Sequence, residues 1–580
     1  MEPMLTTSPR RRRRRSRAWL FLPLVFLLSA AAGGLWAWNR LPNPHHVQPD
    51  YMASPHPVMV EGQWTRTYAL GDGDGLLIAL PVAQKLLGDG IRYEPDTESI
   101  ILTTDKRVMH FKTGQLDATI NRKPFTLQFA AKKENGTLYV PIAPLQKLFG
   151  VQAETDAQSG IVSLFAPGQS VQRAEVPKKG KGVKLRSGPG RSYPIVEDLP
   201  PETPVRLWGE KEGWYEAQSK SGRIGYLAKG DAVLLNVETF GNGSGAADDF
   251  SFVAWKLTGQ RINLTWEAVY SANPNPAKLG ELTGVNVVSP TWFELQDGQG
   301  RILSKADAGY SAWARSKGMQ VWALFSNGFE PDRTHQALAS YATRFQMIQQ
   351  LLAYAKAFHV QGINLDFENV KTEDKDNYVQ FVRELTPLLH EQGLVVSVDV
   401  TPKSNSEFWS LFLDREKLGR TADFLIIMGY DEYWASSPVA GSVSSLPWAE
   451  NTIVRIMQED GVPGSKLILG SPFYTRLWTE TPDGKNGVKV TSKSMSMDAV
   501  TQLIQAKKLK PVFSEETGQH YVEFKEGNAT HKIWIEDADS VKARVALVKK
   551  YGLAGFASWN RSFASAEIWK VLDQSLQSHP

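Results

Sequence analysis

Residues 362–368 read GINLDFE, and this stretch decides how the C-terminal half of the chain folds. In a β-strand, alternate side chains point to opposite faces, so Asn364, Asp366 and Glu368 share one face, and the other face is apolar. Two carboxyl groups this close together in a buried place cost several kcal/mol in desolvation and mutual repulsion. The stretch is therefore either a solvated sheet edge or a site that uses both groups, and the flanking sequence decides between the two.

Amphipathic helices are predicted on both sides of this stretch. Apolar residues recur at helical spacing from Phe345 to Phe358 before it and from Tyr378 to Leu389 after it. A short strand between two such helices belongs in a parallel sheet that is covered by helices. Its apolar face then packs on the helices, and its carboxyl groups point into a barrel or into the mouth of a barrel.

The same strand-then-helix rhythm recurs from about residue 250 to the end of the chain. Eight such units predict an α/β fold, a (β/α)8 TIM barrel, whose chemistry lies at the carboxyl ends of the strands. The interval from Phe473 to Leu553 contains strand-like runs of its own and is predicted as an α+β insertion. The predicted barrel strands are Ile262–Val269, Val285–Trp292, Gln320–Ser326, Gly362–Phe367, Leu394–Thr401, Asp423–Tyr430, Lys466–Pro472 and Leu553–Trp559.

Further motifs lie at the ends of later strands. They are MGYD at 428–431, GSPFYTR at 470–476, WIED at 534–537 and SW at 558–559. With the acidic strand, this ordered set resembles glycoside hydrolase family 18, the chitinase-like enzymes, whose fourth strand ends in a D-G-x-D-x-D-x-E pattern. The chain keeps Gly362, Asp366 and Glu368 but has Gln361 and Asn364 at the first two acidic positions. The GxNxDFE strand is particularly similar to the branch that cuts spore cortex and other peptidoglycan.

The resemblance implies a catalytic set of three residues. Glycosidases usually use two carboxyl groups, but this family is an exception in which the 2-acetamido oxygen of the substrate attacks the anomeric carbon. Only one proton donor is then required, and we assign that role to Glu368. Asp366 raises the pKa of Glu368 and stabilises the oxazolinium cation, and Tyr430 orients the acetamido oxygen. The resemblance implies no cofactor.

Other residues of these motifs are expected to contact the sugar. Asp431 is expected in the mouth, and Trp559 is expected to form an indole floor, with a core aromatic as its alternative. Asn364 lies deepest in the polar row, and its neutral amide alters the carboxyl pair that the family usually has there. Asp399 on the fifth strand is either part of this network or a structural carboxylate. The remaining expected substrate contacts are Met428, Tyr474 and Arg476.

The first 40 residues predict a signal anchor. Seven arginines between Arg10 and Arg17 precede a mostly apolar run from Ala18 to Trp38. A spanning helix needs about 20 apolar residues, whereas the apolar region of a cleaved signal has about 7 to 15. The arginines place the amino end in the cytoplasm and the rest of the chain outside. The alternative is a cleaved signal, with cleavage near residues 29–32 and secretion to the cell wall.

Composition excludes several classes of function. The formal net charge is +4, and without the seven arginines and Glu2 the remaining chain is near neutral, so no basic surface for nucleic acid is indicated. Cysteine is absent, which excludes thiol chemistry and fits an exported bacterial protein. The 10 histidines show no metal-ligand spacing, so no metal site is predicted.

Residues 55–167 contain an internal repeat with a period of about 60 residues. The segment from Leu80 to Ile100 returns as the segment from Val140 to Ile161, and each half is predicted to contain a strand, a short helix and two strands. The whole resembles the copper amine oxidase N-terminal-like domain of bacterial surface proteins, but no copper ligands are visible. We interpret it as a spacer or wall-associating module.

Residues 178–235 resemble a bacterial SH3 domain. The resemblance rests on LRSGPG at 185–190, YPIV at 193–196, GWY at 213–215 and GY at 225–226. Closely spaced strands and a Gly-Pro-Gly turn are typical of a small β-barrel. Such modules commonly hold peptidoglycan stem peptides, and the alternative is a structural barrel without a ligand.

These features predict a membrane-tethered hydrolase with its catalytic barrel at residues 250–580 outside the cell. The expected reaction is cleavage of β-1,4 bonds after N-acetylglucosamine in peptidoglycan, and chitin is the alternative substrate. A second hypothesis is a lectin-like wall-binding protein without turnover. Lectin-like members usually lack the acid, and Glu368 is present.

Overall fold

The structure is a computed structural model that describes residues 41–241, 251–256, 259–483 and 487–577, and five single residues between 27 and 34. Its contacts divide the chain into two compact units, Met1–Gly88 with Gln128–Ala247 and Asp89–Leu127 with Asp248–Pro580. The predicted anchor lies almost entirely outside the described residues. Among the helices that the structure describes, none is long and apolar enough to cross a membrane.

Two sheets of the first unit contain parts of the predicted repeat. β3 and β10 each lead directly into a short helix that starts with a Pro in its first turn, α1 or α2. β1 and β12 pair in parallel between β2 and β11, and β10 lies between β3 and β9. The elements from residue 57 to residue 165 are β1 (Pro57–Val60), β2 (Gln63–Tyr68), β3 (Leu77–Ala79), α1 (Leu80–Leu87), β4 (Ile91–Glu94), β5 (Ser99–Thr103), β6 (Val108–Lys112), β7 (Asp117–Ile120), β8 (Lys123–Thr126), β9 (Lys132–Glu134), β10 (Thr137–Pro141), α2 (Ile142–Phe149), β11 (Gln152–Thr155) and β12 (Val162–Phe165).

The SH3-like region of the first unit is a seven-stranded antiparallel sheet. Its strands follow the order β15-β14-β18-β17-β16-β13-β19, so the predicted small β-barrel region is extended by β13 and β19. Its apolar core contains Leu185, Val205, Ala217 and Leu227. The strands are β13 (Ser170–Glu175), β14 (Val183–Arg186), β15 (Ile195–Leu199), β16 (Pro204–Lys211), β17 (Trp214–Ser219), β18 (Ile224–Ala228) and β19 (Val233–Thr239).

The second unit is built on the predicted barrel. Eight parallel strands pair in the order β20-β21-β24-β25-β26-β27-β28-β34, and β34 pairs with β20 to close the cylinder. All eight predicted strands are therefore confirmed, with ends that differ by at most two residues. The barrel strands are β20 (Ile262–Glu267), β21 (Val287–Pro290), β24 (Gln320–Ser326), β25 (Gly362–Asp366), β26 (Val395–Val400), β27 (Phe424–Met428), β28 (Leu467–Pro472) and β34 (Gly555–Trp559).

Additional strands and the covering helices complete the second unit. A hairpin, β22 (Phe293–Leu295) and β23 (Ile302–Ser304), follows the second barrel strand and was not predicted. The predicted insertion forms the sheet β30-β29-β33-β32-β31. Its strands are β29 (Tyr474–Pro482), β30 (Val488–Ser496), β31 (Val512–Ser514), β32 (Gln519–Glu526) and β33 (Ala529–Ile535), and the helices are α3 (Ala308–Ser316), α4 (Pro331–Leu338), α5 (Tyr341–Phe358), α6 (Lys375–His390), α7 (Arg415–Thr421), α8 (Leu446–Glu459), α9 (Met497–Lys507), α10 (Ala538–Lys550) and α11 (Ile568–Gln577).

The antiparallel strands β4 to β8 also belong to the second unit, where a buried ion-pair network joins them to the barrel helices. Arg344 of α5 donates to Glu384 of α6 over 2.9 and 2.7 Å and to Glu94 of β4 over 2.7 Å. The second carboxylate oxygen of Glu94 accepts the backbone N–H of Tyr341, whose ring stacks on His110 at 3.9 Å. The guanidinium therefore pairs with two buried carboxylates, and one of them, Glu94, also contacts Arg92 Nε over 3.2 Å.

This network gives a stability prediction. Arg344→Gln leaves Glu384 buried without a cation and leaves Glu94 only its contact with Arg92, and breaking a buried pair by removing one partner costs about 3–5 kcal/mol. Arg420→Gln is the matched control, because Arg420 pairs with Glu416 on an exposed helix face, and such pairs contribute about 0.5 kcal/mol or less. Chemical denaturation followed by near-ultraviolet circular dichroism measures both variants. Equal losses in both variants would contradict the assigned role of Arg344.

Candidate active site

The acidic strand lies where the alternation of its side chains requires. Ile363 and Leu365 of β25 are fully buried in the core between the barrel and its helices. Asn364 and Asp366 point to the barrel interior, and Glu368 follows two residues beyond the strand, at its carboxyl end. The prediction that the apolar row faces the helices is confirmed, and the polar row lines the barrel.

Asn364 is the deepest member of the polar row and forms a fixed network. Its Oδ1 accepts Trp266 Nε1–H over 2.9 Å and Ser289 Oγ–H over 3.0 Å. Its Nδ2–H donates to Asp399 Oδ1 over 2.7 Å. All four side chains are buried, so Asp399 belongs to this network.

Asp366 and Glu368 are carboxyl groups without a cationic partner. Asp366 is 9% exposed, and burial raises its pKa to about 7. The pKa of Glu368 is raised well above its usual range, first by burial and then by the charges of Asp366 and Asp431. Within the described residues, neither group forms an ion pair with lysine, arginine or histidine. Both causes favour the protonated form, so Glu368 keeps its proton to a higher pH than an ordinary glutamate does.

Asn327, which the sequence reasoning missed, holds the backbone of Glu368. Its Oδ1 accepts the Glu368 N–H over 3.0 Å, and its Nδ2 donates to the Glu368 carbonyl over 2.8 Å. The same amide group donates to Thr334 over 2.9 Å, and Asn327 is fully buried. An asparagine directly after the third barrel strand was the available signal, because that position lies beside the end of the fourth strand.

Asp431 lies at the mouth and is held by residues of the seventh strand region. It adopts a left-handed backbone conformation with φ of 61° and remains substantially exposed. Its Oδ1 accepts Tyr474 Oη–H over 2.5 Å and Arg476 Nη2–H over 2.8 Å. Tyr474 and Arg476 are themselves buried, so in this structure they orient Asp431.

Three aromatic rings meet at the mouth of the barrel. The rings of Tyr430 and Trp559 lie nearly parallel with centroids 6.2 Å apart, and Trp266 lies 5.7 Å from Trp559. Burial raises the pKa of the Tyr430 hydroxyl, and the charges of Asp399, Asp366 and Glu368 raise it further. This hydroxyl therefore stays protonated and can donate a hydrogen bond. Met428 is buried at the end of β27 and offers little surface to a ligand.

Exposed aromatic side chains lie on loops at the carboxyl ends of the strands. Phe329 follows the third strand and Trp409 follows the fifth, and their ring centroids lie 6.2 Å apart. They are 49% and 43% exposed, and Trp434 after the sixth strand is 53% exposed. Flat apolar faces of this kind fit the faces of sugar rings, which carry C–H groups.

One group of side chains in the described residues has the geometry of a cation site. It consists of His520, Asp537 and Asp539. His520 Nδ1 lies 2.7 Å from Asp537 Oδ2, and Asp537 already accepts two backbone N–H groups at the start of α10. These contacts account for His520 and Asp537 without an ion.

An eight-stranded parallel barrel with carboxyl groups at the carboxyl ends of its strands defines a TIM-barrel enzyme. Residues 304–564 match the family described as Glycosyl hydrolases family 18, residues 181–232 match Bacterial SH3 domain, and residues 68–164 match Copper amine oxidase N-terminal domain. Residues 304–564 are therefore a glycosyl hydrolase family 18 domain, and the chain is a glycosidase. The three resemblances drawn from the sequence are confirmed.

Bacterial proteins are among the similar chains. The uncharacterized glycosylase YvbX of Bacillus subtilis (strain 168) is 28% identical over 304 residues, which are 50% of this chain and 84% of that protein. The cortical fragment-lytic enzyme of Bacillus anthracis is 28% identical over 260 residues, which are 44% of this chain and 59% of that enzyme, less than two thirds of its length. The crystal structure of the Bacillus megaterium QM B1551 spore cortex-lytic enzyme SleL superposes with a TM-score of 0.49 at 21% identity, over 54% of this chain and 74% of that one.

The two contacts from Asn327 generate a kinetic prediction. Asn327→Ala frees the backbone of Glu368, and a displacement of about 1 Å in a catalytic group can cost about 100-fold. We expect kcat to fall at least about tenfold with a smaller change in KM. Asn286→Ala is the matched control, because Asn286 forms the same kind of two-point contact with the backbone of Asn263 and Arg261 at the other end of the barrel. Equal kcat values for both variants would show that the contact with Glu368 is only structural.

Proposed function

We propose that the protein is a cell-surface hydrolase that cleaves β-1,4 bonds after N-acetylglucosamine in peptidoglycan. The observation that carries the proposal is the pairing of Glu368, whose pKa is raised well above its usual range, with the buried carboxyl of Asp366. One group is suited to give a proton, and the other is suited to hold a negative charge beside a cation.

The reaction that fits this pair is substrate-assisted. Glu368 donates its proton to the glycosidic oxygen as that bond breaks, and the acetamido oxygen of the sugar forms a bond to the anomeric carbon. The resulting oxazolinium cation lies beside Asp366, and the Tyr430 hydroxyl donates a hydrogen bond to the acetamido oxygen. Water then attacks the anomeric carbon, the bond from this carbon to the acetamido oxygen breaks, and the carboxylate of Glu368 takes a proton from the water. The two displacements at the anomeric carbon leave its configuration retained.

The walls of the mouth are suited to bind the rest of the glycan. Trp559 supplies a ring face beside Tyr430, and the Asp431 carboxylate retains an exposed oxygen that can accept a sugar hydroxyl. The exposed rings of Phe329 and Trp409 offer stacking surfaces for further sugar units. Stacking of this kind tolerates different substituents, which fits a glycan that carries peptide side chains.

The SH3 domain and the names of similar proteins favour peptidoglycan over chitin as the substrate. A bacterial SH3 domain lies on the same chain, and we propose that it binds wall peptide. Some of the similar proteins are named cortical fragment-lytic enzymes. Chitin remains the alternative, since both polymers present the same acetamido group, and di-N-acetylchitobiase of Rattus norvegicus is 25% identical over 282 residues. A lectin without turnover would not need a buried acid whose pKa is raised.

Digestion of purified peptidoglycan and of chitin, followed by mass spectrometry of the new reducing ends, tests this proposal. We expect N-acetylglucosamine reducing ends from peptidoglycan, and a loss of about 10²- to 10⁴-fold in Glu368→Gln because an amide cannot donate the proton. Glu373→Gln is the control, because Glu373 is an exposed carboxylate on the loop after the same strand. Full activity in folded Glu368→Gln would contradict the assignment of the acid, and release of chitin fragments alone would favour the alternative substrate.

We also propose that residues 18–38 anchor the protein in the cell membrane with the barrel outside. If so, the full-length chain stays with membranes after alkaline carbonate, and a chain that starts at residue 41 is released. A variant with all seven N-terminal arginines changed to glutamine separates the apolar contribution from the electrostatic one, which salt would screen. Recovery from the medium of a mature chain that begins near residue 33 would show that the segment is a cleaved signal.

A further inference from the structure

Asp366 and Asp399 occupy adjacent positions on neighbouring barrel strands. The register of β25 and β26 pairs Asn364 with Ser397 and Leu365 with Val398, so the next positions are Asp366 and Asp399. Neighbouring strands lie about 4.8 Å apart, and both side chains point into the barrel. Asp399 is 2% exposed, so the two carboxyl groups share one buried space.

The hydrogen bonds around Asn364 fix which atoms face this space. Trp266 and Ser289 both donate to Oδ1 of Asn364, so the amide cannot turn to accept a hydrogen bond from Asp399. The Nδ2–H group therefore donates to Asp399 Oδ1 and leaves the other oxygen of Asp399 free to carry a proton. Oδ1 of Asp366 is buried and has no hydrogen-bond partner among the described residues.

The groups that face the pair are acids or neutral donors. They are Glu368 just beyond the strand of Asp366, Tyr430 just beyond the sixth barrel strand and Tyr378 on α6. Within the described residues, Asp399 forms no ion pair with lysine, arginine or histidine. Burial and the charge of Asp366 raise the pKa of Asp399 well above its usual range. Two adjacent buried carboxyl groups without a cation do not both ionise near neutral pH.

We propose that Asp399 is a positioning residue that holds the one proton shared with Asp366, so that Asp366 is the ionised member of the pair beside Glu368. The protonated oxygen of Asp399 donates to the otherwise unpartnered Oδ1 of Asp366. A hydrogen bond to the charged form favours that form, so Asp399 keeps Asp366 ionised at a lower pH than burial alone would allow. The role of the Asp366 anion in turnover rests on the proposed function.

The first test measures kcat/KM against pH on peptidoglycan. Asp399→Ala removes the donor, and we expect the acid limb to move up by about one pH unit, which is about a tenfold loss on that limb. Asp399→Asn restores an N–H donor, so its acid limb should lie at the same pH as that of the unmodified protein. Asp423→Asn is the matched control, since Asp423 is a poorly exposed carboxylate directly before β27 that accepts the backbone N–H of Val396.

Two results of this test would overturn the proposal. One is an acid limb in Asp399→Ala that coincides with that of the unmodified protein. The other is a shift in Asp399→Asn as large as in Asp399→Ala, because that result would require an ionisable carboxyl where the proposal needs only a donor.

A second test needs no turnover and still applies if the proposed function fails. A carboxyl whose pKa is raised by folding stabilises the folded state fully below its unfolded value of about 4, and this contribution is lost as pH rises toward the folded value. Asp399→Asn removes one such group. As the pH rises from 5 to 8, the unfolding midpoint of this variant should therefore increase relative to that of the unmodified protein. A midpoint lowered equally at both pH values would mean that Asp399 is an ordinary ionised carboxylate, and the proposal would fall.

Discussion

Asp366, Glu368 and Asp399 lie at one end of the barrel interior without a cationic partner among the residues that the structure describes, and this constraint determines much of the local structure. Isolated charges in such a place cost far more free energy than a typical domain can supply, so the groups must share protons and take fixed hydrogen bonds. Asn364 provides the fixed point, because two donors set the orientation of its amide. Asp399 and Asp366 lie above it at the same level on neighbouring strands, and Glu368 lies nearer the mouth.

This arrangement explains how an altered acidic motif can remain compatible with the chemistry. The family pattern has a carboxylate where this chain has Asn364, and a second buried carboxyl is instead available on the next strand, at Asp399. The amide of Asn364 serves as acceptor for Trp266 and Ser289 and as donor to Asp399, a combination that an ionised carboxylate could not provide. The barrel thus keeps two deep carboxyl groups but places them on two strands.

The sequence was sufficient to predict the barrel because each of its strands has a local signal. Runs of apolar residues between amphipathic helices predicted all eight strands, and the alternation in GINLDFE predicted which residues line the interior. Contacts between distant segments had no such signal. Asn327 contacts the backbone of Glu368, and Arg344 forms its ion pairs, only because neighbouring elements have a particular register. Periodicity within one segment does not predict that register. Tyr474 and Arg476 were recognised from their motif, but their contact with Asp431 was visible only in the structure.

A matched pair of glycans shows whether the substrate supplies its own nucleophile. The two substrates are identical except that the sugar on the cleaved side carries an N-acetyl group in one and a free amine in the other. Initial rates of release for both are compared at the pH optimum. We expect hydrolysis of the N-acetylated glycan and no measurable hydrolysis of the amine, because the amine has no acetamido oxygen to attack the anomeric carbon. Comparable rates on both glycans would contradict it and would indicate a conventional mechanism with two protein carboxylates.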